Sequence, residues 1–82
     1  MKLDWDKLRT SVERALKAAQ EDERGSMRVH CKGAEKHLKG VKQAPAPEIL
    51  KHVHHASTAI ETSRSVEDLQ QALELISAHA PA

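Results

Sequence analysis

Aromatic residues are almost missing from this chain of 82 residues: there is no Phe and no Tyr, and Trp5 stands alone. A core without large rings must be filled by aliphatic side chains, and base-stacking surfaces of the kind used on single-stranded nucleic acid have nothing to be built from. Cysteine is limited to Cys31, which excludes an intrachain disulfide framework and gives no sign of an oxidising compartment. Gly and Pro number three each, too few for a linker or a low-complexity tract. No run of about 18 apolar residues is present for a membrane span. The opening Met1-Lys2-Leu3-Asp4-Trp5-Asp6 lacks the uncharged apolar stretch of a secretory signal, so a cytoplasmic setting is expected.

What remains is a set of helix formers laid out with helical periodicity. Trp5, Leu8, Val12, Ala15, Leu16 and Ala19 recur on one face. Asp4 reads as the N-cap of this first helix, with Leu3 and Leu8 placed as a hydrophobic staple and Asp6 beside the positive end of the dipole. The helix is expected to end near Glu23, with Gly25 as the stop and Ser26 as the next N-cap. A second stripe, Met27, Cys31, Ala34, Leu38 and Val41, alternates steps of four and three, and Gly40 is placed to terminate it.

Val41 to Pro47 reads as an extended connector. The third helix is expected from about Pro47 to Thr62, with Ile49, Val53, Ala56 and Ile60 inward. Ser65 with Asp68 forms a capping-box-like start for a fourth helix that buries Val66, Leu69, Leu73 and Ile76 and stops at His79 and Pro81. Four amphipathic segments joined by short connections predict a single all-α domain over residues 1–82, a small antiparallel bundle of four short helices. It would be three helices if the first two ran on through Gly25.

Six histidines, His30, His37, His52, His54, His55 and His79, accompany the lone cysteine. At about 100° per residue, Glu48, His52 and His55 share one flank of the third helix, and His30 and His37 share a flank beside Cys31 on the second. Carboxylate, imidazole and thiolate suit Zn, Ni or Cu, so Glu48, His52 and His55, completed by His30, Cys31 or His37, form a candidate metal set. There is no CxxC and no HExxH. His79 falls in the last turn, where a cation favours the dipole, and His54 points away from the seam.

His30-Cys31-Lys32-Gly33-Ala34 and His37-Leu38-Lys39-Gly40 resemble the phosphorylatable motif of histidine phosphotransfer domains, which are four-helix bundles. The resemblance would make His37 or His30 the phosphoacceptor. These strings depart from the family pattern in having one residue between His and Lys where the motif has two, which swings the Lys by about 100° from the phosphate it should support.

Net charge is only +1, but it is unevenly spread. Residues 1–25 balance six basic against six acidic groups. Residues 26–44 carry Arg28, Lys32, Lys36, Lys39 and Lys42 against Glu35 alone, and residues 45–82 carry Lys51 and Arg64 against five acids. Arg28, Lys32, Lys36 and Lys39, spaced at three or four, form a positive stripe suited to an acidic protein. Nucleic acid is disfavoured by the near-neutral total and the missing aromatics. Catalysis has little to rest on, since pairs such as Glu48 with His55, or Cys31 with His30 or His37, come without a phosphate loop or a nucleophile turn. The expectation is therefore a non-enzymatic helical module for protein interaction, of the accessory, adaptor or inhibitor type. It would require no cofactor and would act as a homo-oligomer or in a hetero-complex. The contact would use the basic stripe or an open apolar position such as Val29 or Leu75.

Overall fold

In the structure of the chain, a computed structural model that describes residues 3–81, the first helix, α1, spans Trp5–Gln20. Its start follows the local signals: the Asp4 carboxylate accepts the Lys7 backbone N–H at 3.1 Å, and Leu3 packs against the core. Leu8, Val12, Ala15, Ala18 and Ala19 are buried. Its end does not follow them. Asp22 takes the left-handed conformation at φ 58, the Glu23 N–H reaches the Ala18 carbonyl at 2.8 Å, and the Asp22 N–H reaches Ala19 at 3.1 Å. That pair of bonds is a Schellman cap built on Asp rather than Gly. α2 then starts at once, spanning Arg24–Leu38, so Gly25 and Ser26 lie inside its first turn and neither stops nor caps a helix. Asp tolerates the left-handed region better than most residues, and its carboxylate also accepts the Thr62 hydroxyl at 2.8 Å.

Met27, Cys31, Ala34 and Leu38 form the buried seam of α2. Lys39, at φ −61 and ψ 127, and Gly40, at φ 82, occupy the centre of a type II turn closed by the Val41 N–H on the Leu38 carbonyl at 3.1 Å. That turn demands a residue with positive φ at Gly40, as expected. The following segment is tighter than the extended connector foreseen: the Ala46 N–H bonds to the Gln43 carbonyl at 3.0 Å across a cis Ala44–Pro45 peptide, and Pro45 is buried.

α3 spans Ala46–Thr58, with Pro47 in its first turn, and buries Ala46, Ile49, Val53 and Ala56. It stops four residues before the expected Thr62. The Ser57 and Thr58 hydroxyls bond back to the His54 carbonyl at 2.8 and 3.1 Å, the local competition by which Ser and Thr unsettle a helix end. Ile60 falls in the turn and is 83% exposed, so it is not a core residue. α4 spans Thr62–His79. Ser65 is therefore not an N-cap but a fully buried member of α4, and its hydroxyl donates to the Ala56 carbonyl at 2.7 Å. That carbonyl belongs to the last turn of α3, where the helix offers it no partner of its own.

Each helix packs on its neighbours in sequence, and α1 closes the ring against α4. With connections of three to seven residues this is an up-down-up-down four-helix bundle, and no strand occurs among the described residues. Seven of its sixteen buried apolar residues are alanines, which lets helix axes approach closely and answers how a chain with one tryptophan fills a core. On α4 Ala72 is buried with Leu69 and Ile76, while Val66 and Leu73, expected inward, are half-buried beside them. None of the described buried side-chain polar atoms lacks a partner. No helix of the structure is long and apolar enough to cross a membrane.

Candidate functional site

Burying Met27, Cys31, Ala34 and Leu38 turns the intervening lysines of α2 outward, and the antiparallel packing of α3 supplies a second wall. Between the two helices runs an open groove of about 730 Å³ lined by Lys32, Glu35, Lys36 and Lys39 from α2, with Pro47, Leu50, Lys51 and His54 from α3. Its apolar strip consists of Pro47 and Leu50 together with the aliphatic stems of the lysines, which carry their ammonium groups to the rim. Glu35 is the one carboxylate in the lining, and its Oε1 lies 3.4 Å from His54 Nδ1, a pair that bridges the walls.

Three members of the expected basic stripe, Lys32, Lys36 and Lys39, thus share one surface. The fourth is diverted: Arg28 donates from Nε to the Ser57 carbonyl at 3.1 Å, tying the start of α2 to the end of α3. Lys51 and His54 were not foreseen as part of this surface. Their place in it follows only from knowing that α2 and α3 are neighbours.

The metal candidates are dispersed. His52 Nδ1 lies 3.1 Å from Asp68 Oδ1 on α4, which makes Asp68 an inter-helix partner rather than half of a capping box. Glu48 and His55 are exposed, His30 and His37 are half-buried, and Cys31 is sealed in the core. The Cys31 thiol sits 3.5 Å from Met27 Sδ, and burial, reinforced by the Glu35 charge, pushes its pKa up to about 12. A thiol so protected stays protonated at neutral pH and is a poor ligand and a poor nucleophile. Among the described residues no group of three or more His, Cys, Asp or Glu side chains is gathered so that it could hold a metal ion.

His37 lines a shallow depression against α1 with Asp6, Ser11 and Arg14, while Lys39 lines the groove against α3. The His and Lys of that string therefore lie on different faces, as their one-residue spacing implies. A further depression between α3 and α4 is bordered by His52, Glu67, Gln70, Gln71, Glu74, Leu75 and Ala78, with two carboxylates and no Lys or Arg in its lining. Trp5 lies elsewhere again, half-buried at the end of the bundle where Leu3, Val41 and Pro45 surround a small pocket. No family model, curated protein or solved structure matches the chain.

Proposed function

We propose that this chain is a non-enzymatic helical interaction module that receives an acidic, amphipathic protein segment in the α2–α3 groove. The observation that carries the reading is the arrangement of Lys32, Lys36, Lys39 and Lys51 around an apolar strip whose only carboxylate is already paired with His54. Desolvating Pro47, Leu50 and the lysine stems supplies affinity, whereas the ammonium groups at the rim steer approach and select against basic partners. Each rim charge contributes modestly, roughly 0–1 kcal/mol in an exposed pair. The binding that results is specific in sign and sensitive to salt.

A helix suits the groove better than an extended strand, because two packed helices present a trough into which a third lays one face. Nucleic acid suits it less well, since the single aromatic ring lies outside the groove. Nothing in the reading calls for a cofactor, and a lone, sealed thiol accords with a cytoplasmic setting.

Fluorescence anisotropy with a labelled helical peptide of Glu and Leu residues tests it. Binding is expected to weaken with added salt and to fall by about tenfold or more in Lys36→Glu/Lys51→Glu, while a Lys–Leu peptide of the same length fails to bind. Equal affinity of that variant for the acidic peptide would remove the groove from consideration.

A further inference from the structure

We infer that the segment received by the groove is α4 of a second copy of this same chain, an assignment that rests on the groove reading above. The acidic partner surface is already present in the molecule. Glu67 and Glu74 stand exposed on α4, with the half-buried Leu75 beside Glu74. Glu74 lies seven positions after Glu67 on α4, and Lys39, the C-cap of α2, lies seven positions after Lys32. At the rise of an α-helix both intervals are about 10.5 Å, so the two carboxylates can face the two ends of the lysine row without either helix distorting.

Complementarity extends beyond those pairs. The α2–α3 groove carries Lys32, Lys36, Lys39 and Lys51 against Glu35, whereas the α3–α4 depression carries Glu67 and Glu74 with no Lys or Arg, so a nearly neutral chain holds two surfaces of opposite sign. Within one molecule they cannot neutralise each other, because the basic groove lies between α2 and α3 and the acidic one between α3 and α4, on different sides of the bundle. Between molecules they can. Leu75 supplies an apolar contact for the Pro47–Leu50 strip, and Gln70 and Gln71 add polar groups that place no positive charge opposite the lysines.

A surface that meets a different surface on the next copy makes a heterologous contact, which propagates into a ring or an open row instead of ending at a twofold dimer. The weight-average mass of the protein should therefore rise steadily with concentration at low salt.

Sedimentation equilibrium on the full chain tests this with two variants whose altered residues are all exposed, Lys32→Glu/Lys36→Glu and Glu67→Lys/Glu74→Lys. Circular dichroism checks that each remains helical. The wild-type chain is expected to associate at low salt and return to monomer at high salt. Each variant alone should need roughly tenfold higher concentration to associate, because each now meets like charge with like. An equimolar mixture of the two should recover association, since the acidic groove of one variant accepts the basic α4 of the other. A wild-type chain that stays monomeric at every concentration, or a mixture that shows no recovery, overturns the inference. Binding of the Glu–Leu peptide by such a monomeric chain would leave the groove reading standing while the second-copy assignment falls. Loss of peptide binding as well would remove both.

Discussion

The two ends of the bundle are built on different kinds of hydrogen bond. Where α1 begins and α2 ends, the bonds are local: the Asp4 side chain caps its own helix, and Gly40 closes a turn between residues three apart. At the opposite end, where α1 meets α2 and α3 meets α4, local bonds such as the Schellman cap at Asp22 are joined by bonds that cross between elements. Thr62 donates to Asp22, Arg28 to the Ser57 carbonyl, and Ser65 to the Ala56 carbonyl. At the first end residue identity places the Asp4 cap and the Gly40 turn, whereas at the second the α3–α4 turn is positioned by what it touches.

Substitutions can break or sharpen this contrast. The largest effect is expected at Ser65→Ala, which leaves the buried Ala56 carbonyl without its partner; urea unfolding should show a loss of about 1–3 kcal/mol. The same change at the exposed Ser26 should be close to neutral. A loss at Ser26 comparable to that at Ser65 would mean that Ser26 caps a helix after all. Next comes Gly40→Ala, which forces a Cβ into φ 82 and should cost about 1–2 kcal/mol. Asp4→Ala follows, at about 1 kcal/mol for a lost N-cap.

The smallest effect has the opposite sign. Gly25 lies in the first turn of α2 with open space where a Cβ would be, so Gly25→Ala should raise the thermal midpoint slightly, by a gain of up to about 1 kcal/mol. Destabilisation there would show that Gly25 holds a left-handed cap and that the α1–α2 turn sits three residues later than described.

The same contrast explains how far residue patterns alone could be followed. Four helices, the seam of α2, the cap at Asp4 and the turn at Gly40 were all legible, because helical periodicity and positive-φ chemistry are properties of a few adjacent residues. The α3–α4 turn was not. Ser65 has the identity of an N-cap but spends its hydroxyl on a carbonyl nine residues earlier, and Ile60 has the identity of a core residue but stands in the turn itself. Misplacing that turn hid the His52–Asp68 pair, whose midpoint is position 60. In an antiparallel hairpin, residues equidistant from the turn centre face each other, so a shift of the centre reassigns every partner.

For the groove, the lysine row of α2 was legible, since its spacing is local. Lys51, the Leu50 strip and the Glu35–His54 bridge depend on which helix lies alongside, information that no stretch of α2 contains. Arg28 fits the stripe by spacing but is drawn off by an unpaired carbonyl at the end of α3. The metal candidates meet a related limit: α4 presents Asp68 to His52, and among the described residues no three His, Cys, Asp or Glu side chains are gathered to hold an ion.

The groove as the seat of recognition is tested most directly by titrating isotope-labelled protein with the Glu–Leu peptide and following backbone amide shifts. The account predicts that the changes gather at Lys32, Lys36, Lys39, Leu50, Lys51 and His54, with the outer face of α1 unmoved. Shifts centred on Trp5 and Val41 at the end of the bundle, or spread evenly over all four helices, would contradict it.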